Sequence, residues 1–138
     1  GGKHEPGQVG LAGLSMGGFS AALVFVVESR APAVWLDGAM YDPPDTAIWF
    51  ISNLLGHAVF LTPMIVAPAW ELMEITAGVP MRVRTPAKNI EECKPVNEAQ
   101  RRVTLVWSED DTSVPMEVGQ KYLKLFSQCP ICYDVDIY

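Results

Sequence analysis

Gly13-Leu14-Ser15-Met16-Gly17-Gly18 follows an apolar run, Val9 to Leu14, and precedes a helix-like run, Phe19 to Ser29. A strand, a tight turn centred on a Ser, and then a helix make up the context in which G-x-S-x-G carries chemistry. A serine nucleophile must stand clear of the sheet edge, so the chain reverses sharply around it and strains its backbone. Side chains at Gly13 and Gly17 would collide across such a turn, and Gly18 completes the run of elbow glycines. The Met16 N–H, at a helix N-terminus, then points to where an oxyanion would form. The competing reading is a glycine-rich strand-to-helix turn that carries a Ser incidentally.

A second stretch bears on the first. Val103-Thr104-Leu105-Val106-Trp107 has the β-branched and apolar content of a buried strand. It runs into Ser108-Glu109-Asp110-Asp111-Thr112-Ser113-Val114-Pro115. Read alone, the three acids form a solvated turn ahead of the helix that follows Pro115. Together the two stretches resemble the α/β-hydrolase superfamily. There the last-but-one strand often ends in a G-x-x-D-x-x-V-P-like turn that carries the triad acid. Ser108 stands where that pattern has Gly, and the spacing to Val114-Pro115 picks Asp111 over Asp110. The resemblance implies Ser15 as nucleophile, Asp111 as the acid that orients a histidine, and the Met16 N–H in the oxyanion hole. Asp37 and Asp42, after a second predicted strand at Ala33 to Leu36, are the runners-up for the acid.

The resemblance also implies a histidine after the final strand. Cys132 to Tyr138, with Tyr133, Val135 and Ile137 alternating, reads as that strand, and the histidine loop would begin beyond Tyr138. The two histidines present, His4 and His57, lie in a polar N-terminal turn and in the middle insertion. Both read as ordinary histidines, so the 138 residues are expected to be inactive by themselves. The strands that precede the elbow in this family would lie on the nucleophile side, leaving Val9–Leu14 an apolar edge open to self-association.

Composition bounds the alternatives. The 138 residues allow one domain or part of one, and a 49% hydrophobic content suits a piece of a larger core. The net charge of −6, with no basic stripe interleaved with aromatics, argues against nucleic-acid binding. No hydrophobic signal core opens the chain, which favours the cytoplasm without deciding the compartment. Three cysteines make no disulfide framework. Cys129-Pro130-Ile131-Cys132 sits between a helix end and a strand start, the reverse of a redox C-x-x-C, and lacks two further zinc ligands unless Cys93 and His57 join it.

Between Asp42 and Arg101 lies the least family-like part. Asp45 or Thr46 suits an N-cap after Pro43-Pro44, and Thr46 to Trp70 carries no formally charged residue. Ile48, Trp49, Ile51, Leu54, Leu55, Val59 and Phe60 recur at near-helical spacing. Asn53, His57, Pro63 and Pro68 argue against a membrane span, so the segment reads as an apolar cap or as a helix covering the sheet. Ala69 to Ala77 continues as helix with Gly78 as its stop, Pro80 to Glu98 reads as a loop with a short helix, and Pro115 to Ser127 forms a helix lined by Val118, Tyr122, Leu125 and Phe126.

The expected architecture is α/β, a partial α/β-hydrolase fold. About four parallel strands lie side by side in chain order, with helices on both faces and an apolar helical cap. Residues 1–41 hold the nucleophile strand, elbow helix and next strand; 42–101 the cap-like insertion; 102–138 the acid strand, a helix and the last strand. The implied activity is hydrolysis of an ester, thioester or amide, from a small acyl ester or a peptide, with no metal or organic cofactor. A non-catalytic hydrolase-like fragment acting by protein association is the alternative.

Overall fold

The computed structural model describes residues 8–78, 85–90, 101–129 and 132–137. Four strands, β1 (Leu11–Leu14), β2 (Ala33–Asp37), β3 (Arg101–Val106) and β4 (Cys132–Ile137), form one sheet in the order β1-β2-β3-β4. Every neighbouring pair is parallel. Chain order and parallel pairing are thus as expected. β3 begins two residues earlier than its apolar run, because Arg101 and Arg102 pair with Cys132 and Tyr133.

Alternation along the strands separates two faces. Val34, Leu36, Val103 and Leu105 are buried on one, while Trp35 between them is exposed. Helix α1 (Met16–Val27) and the later helix α5 (Met116–Ser127) both cover the buried face. Phe25 of α1 and Phe126 of α5 meet edge to face with centroids 5.9 Å apart. The expectation of helices on both faces is therefore corrected for the described residues. Its reason is topological: when parallel strands are laid down in one direction, every right-handed crossover returns over the same face. Among the described residues no helix packs across the other face, where Leu14 is 66% and Trp35 53% exposed.

A charged residue ties α1 to the sheet. Arg101 is fully buried at the start of β3. Its Nε donates to Ala31 O at 2.9 Å, and its Nη2 donates to Glu28 O at 3.0 Å and to Phe25 O. These carbonyls belong to the end of α1 and the turn after it, where a helix leaves acceptors unpaired and favours a cation. The guanidinium also lies 3.8 Å from the Phe25 ring centroid.

After β2 the chain forms a helical hairpin: α2 (Pro43–Leu55), a 3-10 turn (Gly56–Leu61) and α3 (Thr62–Ala77). The N-cap of α2 is Asp42 rather than Asp45 or Thr46, because Pro43 already supplies the fixed φ of a first helical position. Pro68 sits inside α3, and Gly78 stops that helix in the left-handed conformation at φ 65°. No helix among the described residues is long and apolar enough to cross a membrane. In the predicted loop, α4 (Pro86–Asn89) is the described short helix. His4, Cys93, and the side chains of His57, Cys132 and Tyr133 to Ile137 lie outside what is described. Cys129 is buried in the core.

Candidate active site

Ser15 follows β1 directly and occupies the N-cap position of α1. A serine there normally turns its hydroxyl back onto the first helical N–H groups. Ser15 makes no such bond. Its φ of 53° and ψ of −119° make it the one non-glycine with positive φ among the described residues. Such a conformation stores on the order of 1–3 kcal/mol and persists only where its surroundings over-determine it. Here they do. The Ser15 N–H donates to Asp37 O at 3.0 Å, and Ser15 O accepts from Met40 N–H at 3.1 Å and Phe19 N–H at 3.2 Å. The elbow is thus bolted to the segment leaving β2, and the hydroxyl is left without a capping role.

The glycines divide differently from expectation. A Cβ on Gly13 would stand 2.3 Å from Gly17 O and 2.7 Å from Gly18 N, so Gly13 is required by backbone alone. A Cβ on Gly17 would meet nothing within 4 Å, so the predicted collision at Gly17 does not occur. Gly18 carries that constraint instead: its Cβ would lie 2.4 Å from the Ala39 methyl and 3.0 Å from Gly13 O. The turn opens Gly17 outward, while Gly18, one residue on, faces the chain leaving β2.

Asp111 follows β3, and in a parallel sheet this puts it on the same C-terminal edge as Ser15. Its Oδ1 accepts from Ser113 N–H at 2.7 Å and Val114 N–H at 3.0 Å. Its Oδ2 faces Gly38, where a Cβ would stand only 3.3 Å away. One carboxylate oxygen is therefore held by the turn, and the other is directed toward the strand between Asp111 and Ser15. Glu109 and Asp110 are exposed, as a solvated turn requires. Asp37 lends its carbonyl to the elbow, while its side chain lines a shallow cleft with Trp35 and Leu14. Asp42 lines a separate cleft with Tyr41, Asp45 and Lys121. Burial first, and then Asp45, push the Asp42 carboxyl above its ordinary range, against the pull of Lys88 and Lys121.

Met16 opens α1, so its N–H is among those with no intrahelical acceptor. Beside it a cavity of about 300 Å³ is walled by Met16, by Met40 after β2, by Thr46, Ala47 and Phe50 of α2, by Trp70 of α3 and by Ser113. Met40 is a hinge of the site that sequence reasoning missed. Its N–H holds Ser15 O, and its carbonyl accepts from the Tyr122 hydroxyl at 2.7 Å. Burial, and then Tyr41, raise the Tyr122 hydroxyl pKa far above the ordinary tyrosine range, so it stays a donor. Gly38, at φ 49°, was also missed; a glycine directly after a strand was its one sequence signal. Among the described residues no group of His, Cys, Asp and Glu is placed to hold a metal.

A puromycin-hydrolyzing peptidase of Mycobacterium tuberculosis superposes over 97% of this chain with TM-score 0.63 and 14% identity. The fold is a partial α/β-hydrolase fold. An acylaminoacyl peptidase in complex with Z-Gly-Gly-Phe-chloromethyl ketone matches with TM-score 0.59 at 14% identity, again over 97% of this chain. The uncomplexed acylaminoacyl peptidase of Pyrococcus horikoshii gives TM-score 0.58 at 13% identity over the same share. The chain spans 18%, 19% and 20% of those three chains, about a fifth of each. No family model matches the sequence, and no curated protein matches it.

Proposed function

We propose that this chain carries the nucleophile and the acid of a serine hydrolase that cleaves a carboxylic ester, thioester or amide. The observation that supports it most is the backbone of Ser15, a strained, uncapped serine between a parallel strand and a helix. In the proposed reaction Ser15 Oγ attacks the carbonyl carbon while a histidine takes its proton. The Met16 N–H donates to the oxyanion, and Asp111 Oδ2 accepts from the imidazole and holds its tautomer. Collapse expels the leaving group with the proton from histidine. Water then adds to the acyl-serine by the same route and releases the acid.

Neither His4 nor His57 is assigned the base, so the 138 residues alone should turn over esters no faster than Ser15→Ala. In subtilisin, loss of the catalytic histidine lowers turnover on the order of 10⁶-fold. Free imidazole supplies the test. With a p-nitrophenyl ester, it should produce a saturable rate increment in the wild-type chain that is absent in Ser15→Ala and reduced in Asp111→Asn. Equal rates in wild type and Ser15→Ala at every imidazole concentration would overturn the reading. High turnover without imidazole would mean that His4 or His57 completes the site.

A second reading, association without catalysis, has its own supporting observation. Leu14 and Trp35 are exposed on the uncovered sheet face, and among the described residues β1 pairs only with β2. Sedimentation of the wild-type chain against a Trp35→Lys variant tests it, with concentration-dependent dimers confined to wild type as the expected result.

A further inference from the structure

We propose that the cavity under the α2–α3 hairpin binds the substituent of the substrate next to the scissile carbonyl, and that it selects an uncharged apolar group. The proposal rests on Ser15 as nucleophile but makes its own claim about substrate class. The cavity is bounded by Met16, the residue after Ser15, and by Ser113, two residues beyond Asp111. A group attached to a carbonyl at Ser15 therefore has this space as its neighbour.

The walls say what fits. Met40, Ala47, Phe50 and Trp70 are apolar, and among the described residues no charged side chain lines the space. Of the two hydroxyl residues, Thr46 already spends its proton on Asp42 O at 3.0 Å. Of the charged groups nearby, Asp42, Asp45, Glu117 and Lys121 line the other cleft, which shares Thr46 with this one. A charged substituent would thus lose its water and find no partner. An apolar one gains about 4-fold in affinity per buried methylene. At about 300 Å³ the cavity lies at the small end of ligand pockets. Its volume equals that of roughly ten waters at the ~30 Å³ each takes in the liquid. Two methionines among its walls let it adapt to shape. Trp70 forms its buried wall at 8% exposure, and its Nε1 has no hydrogen-bond acceptor among the described residues.

That indole N–H is also the reporter. The ¹⁵N-labelled 138-residue chain is titrated with butanamide, pentanamide, hexanamide and the cationic 6-aminohexanamide, and the Trp70 Nε1–H resonance is assigned with Trp70→Phe. The expected result is a Trp70 shift whose affinity rises about 4-fold per methylene. 6-Aminohexanamide should bind at least tenfold more weakly than hexanamide. Ala47→Phe, which fills the space from a half-buried helical position, should abolish the shift while circular dichroism stays unchanged. An unmoved Trp70 resonance in wild type overturns the proposal, as does equal binding of the cationic amide. Ser15→Ala should keep the binding. Its retention together with failed imidazole rescue would sink the nucleophile and spare the pocket. Rescue without any chain-length preference in binding would do the reverse.

Discussion

Replacing the three elbow glycines one at a time by alanine separates the motif from the geometry. A motif reading treats Gly13 and Gly17 as equivalent. The structure ranks them far apart. At Gly13 the new methyl would sit 2.3, 2.5 and 2.7 Å from three backbone atoms of Gly17 and Gly18, none of which moves without opening the turn. Overpacking of this kind typically destabilises by 1–3 kcal/mol, and three rigid contacts put Gly13→Ala at about 3 kcal/mol or more. At Gly18 the contacts are the Ala39 methyl at 2.4 Å, Ala39 Cα at 2.9 Å and Gly13 O at 3.0 Å, so about 2 kcal/mol is expected. At Gly17 nothing is met, and Gly17 lies in α1, where alanine is favoured over glycine by about 0.5–1 kcal/mol. Urea unfolding followed by circular dichroism reads the differences. For a chain of 138 residues each 1 kcal/mol also moves Tm by roughly 3 °C. The expected order of stability is Gly17→Ala at or above wild type, then Gly18→Ala, then Gly13→Ala. Gly17→Ala as damaging as Gly13→Ala would refute the reasoning, because a collision absent from the structure would then govern the turn.

Three further outcomes follow from the same packing. Ser15→Gly should stabilise the fold by about 1 kcal/mol, since only glycine adopts a positive φ freely, whereas Ser15→Ala should not; thermal melts of the pair decide it. Arg101→Met should destabilise by about 3–5 kcal/mol, because it strands the carbonyls of Phe25, Glu28 and Ala31, and Arg101→Lys should recover little because one ammonium cannot replace the fork; denaturant melts of both check this. The raised carboxyl of Asp42 works against the fold when ionised. Its contribution is therefore fully present below the ordinary carboxylate range and is lost as pH rises through the raised value, so Asp42→Asn should match wild type in Tm near pH 3 and exceed it at pH 7.

What the sequence determined by itself is local. The apolar run, the glycines and the Ser between them specify a strand, a reversal and a helix from sterics within six residues. The stop at Gly78 and the inner face of α5 at Tyr122, Leu125 and Phe126 were legible for the same reason, a single residue's backbone freedom and a helical period. The resemblance to the hydrolase turn pattern, through the spacing to Val114-Pro115, picked Asp111 over Asp110; the structure adds that Asp111 Oδ1 accepts from the Ser113 and Val114 N–H groups. What only the tertiary structure decided involves approach between distant segments. Gly18 is needed because Ala39 passes beside it, and Gly17 is spared because the turn faces outward there. Met40 links the elbow to Tyr122, 82 residues further along the chain, through a hydroxyl bond that no periodicity announces. Arg101 is buried because the end of α1 leaves carbonyls, some 70 residues earlier in the chain, that a guanidinium can gather. The side of the sheet that the helices cover was decided by crossover handedness acting on strand order, a property of the whole path of the chain. Local sterics and period act over a few residues and can be read in order; packing partners are chosen by the fold, and a linear sequence does not place them side by side.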